Sequence, residues 1–170
     1  NYLYVDPEDA ALRNLDLTDQ GTFYVSQITG DTDENGQTAT FTVRLSSEPN
    51  SGDSSSSNDN VTITLSSSDT GEGRISHIGS TAVSGDTATL TFTRSNWSAA
   101  QTVTVTGQTD NFSDGDQNYT IILSQDNQTT DLKFRYVDPP DVSVKNLDLT
   151  GKGGYYCLLY TSDAADDLTR

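Results

Sequence analysis

Apolar and polar residues alternate along most of the chain. Thr38–Leu45 (TATFTVRL) puts Ala39, Phe41, Val43 and Leu45 on one face and Thr38, Thr40, Thr42 and Arg44 on the other. That two-residue period predicts a half-buried strand. Val61–Leu65, Thr87–Thr93 and Thr102–Thr106 repeat it, with Ala88, Leu90, Phe92, Val103 and Val105 inward. Further strands are expected at Thr22–Ile28, Tyr119–Leu123, Leu132–Tyr136 and Val142–Leu147, while Arg74–Val83 carries only weak strand signals. Turn residues separate these runs: acidic at Gly30–Gly36 and Gln108–Gln117, small and polar at Ser66–Gly73. Ser46–Asn60 reads as a long polar loop. No helical period of useful length occurs. Short strands broken by frequent turns predict an all-β fold, a sandwich or a barrel, and faces of Thr and apolar residues without a continuous apolar run point to antiparallel sheets wet on their outer faces. Its expected core is Phe41, Val43, Leu45, Val61, Ile63, Leu65, Leu90, Phe92, Val103, Val105, Ile121 and Leu123.

A second pattern is longer. Tyr4–Thr18 (YVDPEDAALRNLDLT) returns as Tyr136–Thr150 (YVDPPDVSVKNLDLT) at an offset of 132 residues. From Tyr4 to Tyr24 against Tyr136 to Tyr156, 12 of 21 positions are identical. One register held over that length marks a tandem repeat, with the two copies as seams. Residues 1–16 are then expected to end a preceding repeat, 17–149 to form one full repeat, and 150–156 to open the next. Such a unit has the size of an ordinary domain and can bury a sizeable core without a disulfide. Residues 157–170 look foreign: Cys157–Asp167 (CLLYTSDAADD) resembles a translated sequencing adapter in reverse complement, and the segment is read as an artefact. The only cysteine goes with it.

Charge narrows the function. The net charge is −16, from 25 acids against 9 bases. Nucleic acid and anionic membrane surfaces need clustered Lys and Arg, so neither is an expected partner. No run of 18 apolar residues is present, so no membrane insertion is expected. Cations, or a solvated exterior, fit better. The acids gather: Asp31, Asp33 and Glu34 in one turn, Asp110, Asp114 and Asp116 in another. A hard cation such as calcium takes six to eight oxygens from loops of this kind. Asp also favours turns for backbone reasons alone, so solvated turn residues are the other reading.

Other chemistry finds little support. His77 is alone and cannot build a zinc site or a triad. The acids sit in polar turns rather than on apolar strands that would raise a carboxyl pKa, which argues against an enzyme. The Thr columns read as outward strand residues rather than an ice-binding face, because sandwich sheets twist. Trp97 is expected to cap the apolar layer.

The order ENGQTATFTVRLSS (Glu34–Ser47), VTITLSSSDTGEG (Val61–Gly73), LTFTRSNWSAAQTVTVTGQTD (Leu90–Asp110) and DGDQNYTIILS (Asp114–Ser124) resembles Calx-beta-type repeats of large bacterial surface proteins. The likeness covers about residues 17–149, and NLDLT looks like a variant of the ending common between such repeats. It implies an immunoglobulin-like sandwich with calcium in loops at one end. Carried over, the calcium site implies Glu34, Asp110, Asp114, Asp116 and Asp148 as ligands. The expected role is a non-catalytic, extracellular or cell-surface spacer or adhesin stalk whose partners are the neighbouring repeats. The alternative is a module that binds a carbohydrate or a protein surface ligand.

Overall fold

The computed structural model describes residues 20–49, 59–110 and 112–149. The first seam, the centre of the Ser46–Asn60 loop, the start of the following repeat and the 157–170 tail lie outside the described residues. Ten strands follow in order: β1 (Phe23–Val25), β2 (Thr32–Asp33), β3 (Thr38–Leu45), β4 (Asn60–Ser67), β5 (Gly73–Ile78), β6 (Thr81–Ala82), β7 (Thr87–Thr93), β8 (Gln101–Gly107), β9 (Gln117–Gln125) and β10 (Val142–Leu147). They form two five-stranded sheets, ordered β1-β3-β8-β5-β6 and β2-β10-β9-β4-β7. The sheets stack as an immunoglobulin-like β-sandwich. Among the described residues no helix is long and apolar enough to cross a membrane.

The alternation sets the core. All twelve residues expected inside are at most 1% exposed. Phe23, Ile75, Tyr119, Phe134, Val142 and Val144 join them, and Trp97 packs half-buried against the cluster. The outer faces carry the Thr columns in register: Thr38 opposes Thr106, Thr40 opposes Thr104, and Thr62 opposes Thr91. His77 stands exposed on β5.

Two elements differ from the sequence reading. Leu132–Tyr136 is a turn, not a strand. Phe134 drops into the core and meets Phe23 edge-on at 5.5 Å between centroids, filling the space over Gly21. The Lys133 amide bonds to Asp131 Oδ1 at 2.8 Å, and the Val137 amide to the Phe134 carbonyl at 3.1 Å. One buried aromatic on a turn leaves the same alternating pattern as a short strand. The acidic turn Gly30–Gly36, in turn, contains β2, which pairs with β10 in parallel, Thr32 opposite Asn146 and Asp33 opposite Leu147. The second sheet is therefore mixed rather than purely antiparallel.

The chain enters and leaves at opposite ends. Gly21 donates its amide to the Lys133 carbonyl at the end where β1 begins and β3 finishes. Asp148 and Leu149 follow β10 at the other end, where β3 begins and β8 finishes. These are called the proximal and distal ends below. β3 has 8 residues, so the ends stand about 26 Å apart.

Candidate metal centre at the distal end

Among the described residues four connections cross the distal end: Glu34–Gln37 between β2 and β3, Ser68–Glu72 between β4 and β5, 83–86 between β6 and β7, and the 108–116 loop between β8 and β9. Each carries the chain from one sheet to the other, and the side chains of the Ser68–Glu72 and 108–116 connections gather over the end of the core beside the departing β10. Polar groups continue inward from there. Thr32, fully buried, donates to Asn146 Oδ1 at 3.0 Å, and its hydroxyl lies 3.1 Å from that of Tyr119. Asn146 Nδ2 donates to Glu72 Oε2 and to the Gln108 carbonyl, both at 3.1 Å. Each polar atom needs a partner here because water is excluded. Burial pushes the Tyr119 hydroxyl above its ordinary value, with the Thr32 hydrogen bond opposing it.

The five acids implied by the resemblance divide into two groups. Asp110 and Asp114 meet a third carboxylate, Glu72, with one oxygen from each within 4.8 Å of the others. Glu34 and Asp116 hold backbone amides of the departing chain, and Asp148, on that chain, holds an amide of the 108–116 loop. Glu34 Oε2 accepts from the Leu149 amide at 3.1 Å, and Asp116 Oδ1 from the Asp148 amide at 3.2 Å. Asp148, only 6% exposed, turns its Oδ2 to the Gly115 amide at 2.9 Å. Gly115 can present that amide because it sits at φ 83°, a region costly for residues with a Cβ. The Ser113 hydroxyl lies 3.5 Å from the same oxygen. Asp31 and Asp33 play other parts: Asp33 Oδ1 caps its own turn, accepting from the Asn35 and Gln37 amides at 2.9 Å, and the Asp31 carbonyl accepts from Gln37.

Glu72 was not among the acids expected from sequence. It sits in a turn of Ser, Asp, Thr and Gly that carries no acidic cluster of its own. Only the crossing of β4 to β5 over the distal end brings it to Asp110 and Asp114.

The electrostatics of the trio are unfavourable to themselves. Two unit charges 4.8 Å apart repel by about 1 kcal/mol in water and about 3 kcal/mol at an effective dielectric near 20. Half-exposed groups lie between these limits. Burial pushes the Glu72 carboxyl above its ordinary 4.5, and Asp114, Asp110 and Asp69 push the same way against the Asn146 hydrogen bond. A raised pKa means the folded chain holds the proton more tightly than the unfolded chain. The resulting stabilisation is full below the unfolded value and is lost as pH rises through the folded one. Glu72→Gln is therefore expected to remove a loss of stability that sets in as pH rises past the ordinary 4.5 in calcium-free buffer. Urea midpoints below and above that value check it: the wild-type chain should fall behind the variant as pH rises.

The donor set suits a hard cation. Calcium–oxygen distances of 2.3–2.6 Å put oxygens on opposite sides of one ion about 4.6–5.2 Å apart, and the three carboxylate oxygens span no more than 4.8 Å. A separate cleft of about 430 Å³ lies between Val25–Ile28 and Pro140–Ser143. It has no aromatic lining and lies beside β1, at the edge of the first sheet, and the start of β10. Among the described residues the exposed aromatics do not form a row: Tyr24 lies on β1 under Arg44 at 4.1 Å, Phe112 on the distal loop, and Tyr136 on the turn after β9. Compared with protein-family models and with curated proteins, the chain matches none of them.

Proposed function

We propose that the chain is a non-catalytic module of a tandem array of Calx-beta type, outside the cell, that spaces or presents other domains. The observation that carries this reading is the pairing of seam and geometry. The sequence repeats at a 132-residue offset, and the chain enters at one end of the sandwich and leaves at the other. Copies joined this way run end to end, each touching its neighbours alone, as in other repeat proteins. A sugar- or protein-binding role draws less support, since the exposed aromatics among the described residues are scattered over three elements.

Calcium at the distal end is part of the proposal. Glu72, Asp110 and Asp114 would supply carboxylate oxygens. Glu34, Asp116 and Asp148 would tie the ion-bearing loops to the departing chain, so that binding stiffens the joint. Calcium titration by calorimetry tests it. A dissociation constant of roughly 10⁻⁴ to 10⁻³ M is expected, typical of extracellular modules. Glu72→Gln combined with Asp110→Asn should remove the binding heat while raising calcium-free stability, because the repulsion goes with the charges. Equal heats in wild type and double variant would overturn the assignment.

A further inference from the structure

Phe112 is 69% exposed, on the loop that crosses the distal end. A single exposed hydrophobic side chain is ordinary on a protein surface, so Phe112 gains meaning only where something on the molecule brings a second surface to it. Here the departing chain does so. Phe112 adjoins Ser113, whose hydroxyl lies 3.5 Å from the Asp148 carboxylate, and the Phe112 amide is fixed to Asp110 Oδ1 at 2.9 Å. Leu149 is held at the same end by Glu34. At the repeat offset Gly153 answers Gly21, four residues beyond Leu149. Four residues span at most about 14 Å. In this module Gly21 lies at the proximal end, beneath the Phe134 ring. A following module therefore brings its proximal end within reach of Phe112.

We propose that Phe112 is the contact through which each module seats on the next, its ring packing against the proximal end of the following copy. This rests on the tandem reading given above. The contact belongs to the upstream member of each pair, so the two ends of an array are not equivalent: Phe112 of the last module has nothing to seat on.

That asymmetry supplies the test. Residues 1–149 are joined to Thr18–Leu149, which writes the unit twice at its natural spacing. Small-angle scattering should give a maximum dimension near twice that of one unit. The joined chain should melt several degrees above the single unit. Phe112→Ser in the upstream unit alone should remove that gain; the same change in the downstream unit alone should leave it. Phe112→Ser in the single unit should leave its midpoint unchanged, which shows that the variant folds. Equal effects at both positions, no gain from joining, or a ring buried instead by concentration-dependent association of single units would each overturn the contact. Two units lying side by side in scattering would overturn the array reading as well.

Discussion

Phe92→Ala is expected to cost about 3–5 kcal/mol, the usual range for removing a fully buried aromatic ring. Phe92 is 0% exposed, lies opposite Val61 on the neighbouring strand, and faces the interior of the sandwich. The loss has two parts: the ring's transfer from water, and the void that rigid sheets cannot close. Total stabilities run to only about 5–15 kcal/mol, so this one change removes a large share. Thr89→Ala, on the exposed face of the same strand, should stay within about 0.5 kcal/mol. Urea denaturation of both variants checks the register of β7. Comparable losses at the two positions would mean that the strand does not present one face inward.

The second large effect is expected at Gly107, the last residue of β8. A Cβ there would collide with the Asp33 carbonyl and with Asn146 Oδ1. The first obstacle is backbone and the second is a buried amide already bonded to Thr32 and Glu72, so neither can swing aside. Gly107→Ala should therefore push β2 and the Asn146 side chain of β10 away from β8 at a cost of about 1–3 kcal/mol, the range for overpacking. It should also weaken the calcium response, although it removes no carboxylate. Gly30→Ala, where a Cβ meets nothing within 4 Å, is the control and should be close to neutral. Denaturant midpoints for the pair, each with and without calcium, check both parts.

Why Gly107 matters could not be read from the chain, and the reason is general. Thr38–Leu45 and Thr87–Thr93 announce themselves because a two-residue period maps directly onto two faces of a strand. β2 has two residues, too few for any period, and its parallel partner lies more than a hundred positions away. Leu132–Tyr136 shows the opposite error: a genuine alternation produced by Phe134 alone, on a turn held by Asp131 and the Phe134 carbonyl. At the distal end, the acidic 108–116 loop was legible because it clusters charge, and the seam because it repeats at a fixed offset. Glu72 was not, since its place depends on how β4 crosses to β5 and on Asn146 reaching back to it. The sequence also could not divide the acids. Asp110 and Asp114 aim at Glu72, whereas Glu34, Asp116 and Asp148 hold amides, and only the path of the backbone decides which does which.

The most direct measurement is scanning calorimetry of the chain in calcium and then in chelator, with magnesium and ionic strength fixed. At a calcium concentration one hundred times the dissociation constant, binding to the folded state adds about 2.7 kcal/mol. For a domain of this size that is a rise of roughly 10 °C in Tm. That rise is expected in wild type and should be lost when Glu72→Gln and Asp110→Asn are combined. A single Tm for wild type in both buffers would contradict it, leaving Glu72, Asp110 and Asp114 as solvated turn residues and the module as a spacer without an ion at its joint.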